Sequence, residues 1–179
     1  DALGDAEARA RFLREVNAIG QLQHPHLIAA TDAGTDAGLH YCVTERLEGF
    51  DLQQLVERRG PLPANAAGEI IRQAADGLAH AHALGIIHRD IKPANLFLEH
   101  TGRVKVLDFG IVGFAQSSSP MTAANQILGT ADYIAPEQTA AGRVAIPQSD
   151  IYGLGATLIF LISGQPPYPD ATHPGLIEK

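Results

Sequence analysis

The chain has 179 residues, 45% of them hydrophobic and 18% charged, a globular composition that fits one or at most two domains and excludes a disordered tail. A chain of this size removes roughly 70% of its unfolded surface from water, so its core needs neither disulfides nor a structural metal. The single cysteine, Cys42, has no partner in the chain and suits a reducing compartment. A net charge of -7 with scattered basic residues argues against nucleic acid as a partner.

The first ten residues lack both an initiator Met and the basic-then-apolar pattern of a secretion signal, which suggests that the sequence starts at a cut. Phe12, Val16 and Ile19 then recur at helical spacing among Arg and Glu, so Ala6–Leu22 reads as an amphipathic helix closed by Gly20 and Pro25. Leu27–Thr31 and Leu39–Thr44 read as the strands of a hairpin across the turn-rich segment Asp32–Gly38. Asp51 is placed to cap a short helix through Arg59, which Gly60 and Pro61 stop. A longer helix follows. Pro63 suits its first turn, Ile70, Ile71, Ala74 and Leu78 recur at steps of three and four, and Gly85 stands where a left-handed terminator belongs. Leu96–Leu98 and Val104–Leu107 are two more strands, flanking the turn His100–Arg103. Ala115–Gln126, rich in Ser, Ala and Thr and without an apolar period, reads as a mobile loop. The longest apolar stretch, Ile151–Ile162, is well short of the roughly 20 residues that span a bilayer and reads as a buried helix. No internal repeat is present.

Chemistry concentrates around the second hairpin. His88-Arg89-Asp90-Ile91-Lys92-Pro93-Ala94-Asn95 precedes it, and Asp108-Phe109-Gly110 follows at its far end. A hairpin returns the chain to its start, so Asp90, Asn95 and Asp108 can converge. Two carboxylates and an amide oxygen are hard ligands of the kind Mg²⁺ prefers. With Lys92 as a nearby cation, the set suits transfer of a phosphoryl group from a metal-bound nucleotide.

These elements, taken in type, order and context with Gly129-Thr130, Ala135-Pro136-Glu137 and Ser149-Asp150-Ile151, resemble the eukaryotic-like protein Ser/Thr kinases, especially the bacterial ones. The resemblance covers nearly the whole chain. It implies an α+β, protein-kinase-like bilobal fold, truncated, with a small-lobe remnant and hinge over residues 1–47 and an incomplete large lobe over residues 48–179. It implies ATP and Mg²⁺ as cofactors, Ser/Thr hydroxyls of proteins as acceptors, and a cytoplasmic catalytic domain whose full-length protein could be membrane-anchored. Asp90 would accept or orient the hydroxyl proton, Lys92 would steady the transferring phosphate, and Asn95 with Asp108 would hold the metal. Thr130 would link the loop to Asp90 and Lys92 and help seat the acceptor. Glu15 matches the helix glutamate that pairs with the ATP-anchoring lysine. Thr44 matches the gatekeeper, Glu45 and Leu47 would offer backbone bonds to adenine, and Phe97 would form the floor beneath it. Asp150 would brace the backbone around Arg89, and His88 would stack below Phe109. Thr122 looks like a regulatory phosphosite that Arg89 could grip and a second copy of the kinase could phosphorylate, although Gly113 stands where many relatives have a second basic residue.

The departures are equally specific. The lysines are Lys92, Lys105 and Lys179, so the first 91 residues contain none, and neither the ATP-anchoring lysine nor a phosphate-covering glycine loop is in this chain. The fragment alone is therefore expected to be inactive. Gly153-Leu154-Gly155 lies inside an apolar run and is better explained by packing. The arginine that would pair with Glu137 would lie beyond Lys179. His80 and His82 are two apart on a helix, point away from each other and are expected to be structural. Asp150 ahead of an apolar run is by default a helix cap, a role compatible with bracing. Two other readings compete with the kinase: a pseudokinase scaffold, disfavoured by the intact Asp90, Asn95 and Asp108, and a small-molecule phosphotransferase, disfavoured by Gly129-Thr130 and Ala135-Pro136-Glu137.

Overall fold

The computed structural model describes residues 20, 22–36, 39–109, 131–139 and 145–167. Most of the expected helix Ala6–Leu22, with Glu15, lies outside them, as do the loop Ala115–Gln126, Thr122, Gly113 and Thr130. The described elements run β1 (Ala30–Asp36), β2 (Leu39–Thr44), β3 (Gly49–Asp51), α1 (Leu52–Arg59), α2 (Ala64–Ala83), a 3-10 turn at Pro93–Asn95, β4 (Leu96–Glu99), β5 (Val104–Val106), a 3-10 turn at Ala131–Tyr133, α3 (Pro136–Thr139) and α4 (Pro147–Ser163). Strands β1 and β2 pair antiparallel as a two-stranded ribbon, and β3, β4 and β5 form a three-stranded sheet in that order. Among the described residues no helix is long and apolar enough to cross a membrane.

Local chemistry explains most of these boundaries. The Asp51 carboxylate accepts the Gln54 N–H at 2.8 Å, so the expected cap starts α1. Along α2, Ala67, Ile70, Ala74, Gly77, Leu78 and Ala81 are buried, a stripe at the three- and four-residue steps of a helix face. Gly85 ends the helix with φ 75°, a left-handed conformation that glycine adopts without strain, while Ile86 N–H closes onto the Ala81 carbonyl at 3.0 Å. The antiparallel register Leu96↔Val106 makes the second hairpin. Leu27, Leu52, Leu78, Leu96, Val104, Val106 and Leu161 form a fully buried core between α1, α2, α4 and the three-stranded sheet.

Three expectations need correction, and one strand, β3, was not expected. The first strand is not Leu27–Thr31 but Ala30–Asp36, because the ladder with β2 runs to Asp36↔Leu39 and carries the Asp- and Gly-rich segment as strand; Leu27 instead bridges Val106 in parallel. The short β3 has no apolar alternation and is visible only through its pairing with β4. Helix α4 is not buried all round: Leu154, Ala156, Phe160 and Leu161 face the core, while Ile151, Ile159 and Ile162 are exposed. That helix begins at Pro147, so Asp150 lies inside its first turn and is not the cap; the Ser149 hydroxyl there accepts the Ile146 N–H at 3.2 Å.

Candidate active site

The segment between α2 and β4 is anchored by a carboxylate with no solvent exposure. Asp150 Oδ2 accepts the His88 N–H at 2.9 Å and Oδ1 accepts the Arg89 N–H at 2.8 Å. His82 Nε2 donates to Oδ2 at 2.7 Å. Burying such a group is costly unless its oxygens are satisfied, and here three donors from two segments satisfy it. The constraint is visible in the backbone, where Arg89 has φ 75°, a left-handed conformation that the Cβ of a non-glycine residue disfavours and that surrounding bonds must hold. The close approach of α4 to this loop explains one glycine of Gly153-Leu154-Gly155: a Cβ on Gly153 would lie 2.7 Å from the Ile91 carbonyl oxygen.

From this frame Asp90, Lys92 and Asn95 meet. Lys92 Nζ lies 2.7 Å from Asp90 Oδ2. The Asn95 amide donates to the same oxygen at 3.1 Å and to the Asp90 carbonyl at 2.8 Å. The Leu107 N–H donates to the Asn95 carbonyl at 2.9 Å, which ties the end of β5, and so Asp108 next in sequence, to the same loop. Asp108 is exposed and has φ 54°. His88 is fully buried and joins the two segments: its Nε2 donates to the Leu107 carbonyl at 2.6 Å, and its Nδ1 accepts the Asp90 N–H at 3.3 Å. Acceptance at Nδ1 requires a neutral ring with its proton on Nε2, and burial holds the pKa of His88 below the usual imidazole range. The ring meets Phe109 edge-on, at 4.9 Å between centroids, where a stack was expected.

A second group lies where β2 leaves the ribbon. Thr44 is exposed and Leu47 half-buried. Phe97 is half-buried in β4, paired with Asp51 on one side and Lys105 on the other. Glu45 is engaged through both its backbone and its side chain. Its N–H is taken by the Ala29 carbonyl at 3.0 Å, and its Oε1 accepts the Ala29 N–H at 2.8 Å and Lys105 Nζ at 2.6 Å. Lys105 is buried and also donates to the Leu27 carbonyl at 3.2 Å. Burial alone would raise the Glu45 carboxyl, but the bonds from Lys105 and Ala29 outweigh it and hold the group below the usual carboxylate range. Sequence reasoning missed Lys105, although a charge inside the buried strand Val-Lys-Val was a signal that it needs a partner. It also missed the pairing of His82 with Asp150 and the link, at 2.8 Å, from the Gln138 side-chain amide to the Arg89 carbonyl.

The profile of the protein kinase domain matches residues 3–178. This chain belongs to the protein kinase family. It is 40% identical over 168 residues to the serine/threonine-protein kinase PrkC of Bacillus subtilis, a match covering 94% of this chain and 26% of PrkC. It is 40% identical over 172 residues to the serine/threonine-protein kinase PknB of Mycobacterium leprae, covering 94% of this chain and 28% of that protein. The chain thus spans about a quarter of the length of these relatives. Among solved structures it is similar to Rad53 residues 1–466 in complex with AMP-PNP, with TM-score 0.75 and 28% identity over 92% of this chain and 41% of that one. The mixed helix and strand content fits a kinase-like α+β fold.

Proposed function

We propose that this chain is the catalytic part of a protein serine/threonine kinase that transfers the γ-phosphoryl group of ATP to Ser/Thr hydroxyls of proteins. The observation that carries this is the arrangement at Asp90, where a half-buried carboxylate is held by Lys92 and Asn95 on a loop braced from α4. Such a carboxylate can orient the acceptor hydroxyl and take its proton, while the ammonium of Lys92 neutralises charge on the transferring group. The solved neighbour carrying AMP-PNP supports ATP as the donor. Because the Glu45 N–H is engaged with Ala29, its carbonyl is the backbone group left to meet adenine.

The donor set suits Mg²⁺. Asn95 commits its amide nitrogen to Asp90, which leaves its amide oxygen for a cation, and Asp108 adds an exposed carboxylate one residue beyond Leu107. Among the described residues no cluster of three or more His, Cys, Asp or Glu could form an all-protein cage. Mg²⁺ does not need one, since it binds through one or two protein oxygens and substrate phosphates. When bound, it would neutralise the phosphates. Lys105 does not replace the missing ATP-anchoring lysine, because its ammonium is spent on Glu45 and Leu27. We place the domain in the cytoplasm, where ATP is supplied and the single thiol stays reduced.

Two substitutions in the full-length protein separate the roles. Asp90→Asn should spare nucleotide binding and lower turnover by about 10²- to 10⁴-fold, the usual contribution of a positioned base. Asp108→Ala should instead abolish metal-dependent ATP use. Calorimetry with Mg²⁺ and ATP, paired with turnover of a Ser/Thr peptide, reads both. Nucleotide binding with no turnover in the unsubstituted protein would replace this reading by a pseudokinase scaffold.

A further inference from the structure

The peptide unit that joins Arg89 to Asp90 is gripped at both of its polar atoms. Its N–H, on Asp90, donates to His88 Nδ1 at 3.3 Å, and its carbonyl, on Arg89, accepts from Gln138 Nε2 at 2.8 Å. Gln138 lies 49 positions away on α3, so this bond joins two separate segments. Its other amide atom is also engaged, since Oε1 accepts the Ala135 N–H at 3.3 Å, and this fixes which end of the amide faces Arg89.

The bond closes a ring. Arg89 N–H donates to Asp150, and Ser149, next to Asp150 in the chain, donates from its hydroxyl to Glu137 at 2.6 Å. Glu137 is followed by Gln138, which returns to the Arg89 carbonyl. Arg89, the residue enclosed, has the left-handed φ of 75°. Rotation of the peptide plane after it would swing the Cα–Cβ bond of Asp90 and re-aim its carboxylate. Lys92 and Asn95 fix one oxygen of that carboxylate, whereas Gln138 and His88 fix the backbone it hangs from.

We propose that Gln138 is a positioning residue for Asp90, and that through it the seating of Ala135–Thr139 is coupled to the aim of the catalytic carboxylate. The inference rests on the proposed kinase function. A kinase built this way turns over fully only when the segment carrying α3 is docked against the Arg89 carbonyl.

The test uses the full-length protein with Mg²⁺, ATP and a Ser/Thr peptide, comparing the parent with Gln138→Ala and with the near-isosteric Gln138→Glu, which has no N–H to donate. Both variants should lose about three- to tenfold in kcat, the worth of one aligned hydrogen bond, with KM for ATP unchanged. The same substitutions in an Asp90→Asn background should leave the residual rate unchanged, because there is no longer a base to aim. A merely structural role would lower both backgrounds by the same factor, and that result would overturn the inference. So would an active parent whose two Gln138 variants match it in kcat. A parent that binds ATP but transfers no phosphate would overturn the proposed function itself, and this inference with it.

Discussion

Between His88 and Asn95 the chain meets partners from three directions: Asp150 on α4, Leu107 at the end of β5 and Gln138 on α3. The bond from His88 N–H to Asp150 is buried, those of Arg89 N–H and the His88 ring are partly buried, and the Gln138 bond is exposed. The β1–β2 ribbon is held differently. Its own ladder is continuous from Asp32↔Val43 to Asp36↔Leu39, yet Tyr41 and Val43 are 44% and 45% exposed, and burial contributes little to its position. Among the described residues its base is fixed by a short stretch of backbone pairing, Ile28 to Val106 and Glu45 to Ala29, together with the ion pair of Glu45 and Lys105. The comparison teaches that, among the described residues, the side of the site assigned to phosphoryl transfer is held by more bonds than the side assigned to the adenine base.

The sharpest way to break this comparison is at Asp150. Asp150→Ala leaves the His88 N–H, the Arg89 N–H and the His82 ring without their acceptor in a buried place. The expected cost is about 3 to 5 kcal/mol of stability, the range found when one member of a buried charged network is removed. Urea denaturation of the purified protein measures it. A loss below about 1 kcal/mol, the usual value of an exposed pair, would show that the His88–Asn95 loop is no better anchored than the ribbon.

A smaller effect is expected from Lys105→Met, which keeps the length of the side chain and deletes its charge. Lys105 is 7% exposed but Glu45 is 31% exposed, so water can partly compensate the carboxylate left behind. About 1 to 2 kcal/mol of stability should go, less than at Asp150. The functional signature should differ in kind. Loosening Glu45 disturbs the segment proposed to meet adenine, so KM for ATP should rise while kcat stays close to that of the parent. Loss of kcat with unchanged KM would mean that Lys105 acts on the transfer side, and the division between the two regions would fail.

What could be seen in the sequence follows the same division. Helix α2 was legible because its 20 residues repeat one apolar stripe, and the loop from His88 to Asn95 was legible because its chemistry is contiguous. Asp90, Lys92 and Asn95 do meet, and Asp150 does brace Arg89, as the motifs implied. The first strand was misplaced because Asp32, Gly34 and Asp36 have low strand propensity and only the β2 partner holds them extended. Lys105 with Glu45 and Gln138 with Arg89 were invisible for another reason: these partners are 60 and 49 positions apart, and no local pattern relates them. The open face of α4 was hidden because a continuous apolar run does not reveal which of its sides is covered.

The smallest expected effect is a pH dependence that joins the two regions. His88 and His24 both have pKa values lowered by burial, and in His24 the neighbouring His26 and His80 add to the shift while Asp76 opposes it. A folded-state pKa below the unfolded value means that the unfolded chain binds the extra proton more readily, so stability rises with pH across the interval between the two. Their contribution is therefore fully present above the ordinary imidazole value of about 6.5 and is lost as pH falls through the depressed values. The geometry agrees in sign. His88 Nδ1 accepts the Asp90 N–H and His24 Nδ1 accepts the His26 N–H at 3.2 Å, and neither bond survives protonation of that nitrogen. His24 also stacks on His80, whose buried Nε2 has no hydrogen-bond partner among the described residues and gives an added charge no relief. Urea midpoints at about pH 7.5 and about pH 5.5, which bracket the titration of an ordinary histidine, should show the protein weaker at the lower value. His24→Asn, which keeps an acceptor for the His26 N–H but cannot be protonated, should flatten part of that slope and leave the His88 part. If His24→Asn leaves the slope unchanged, the acid sensitivity attributed to these two rings resides in the His88–Asn95 loop, and the firmly anchored region is then also the first of the two to yield as pH falls.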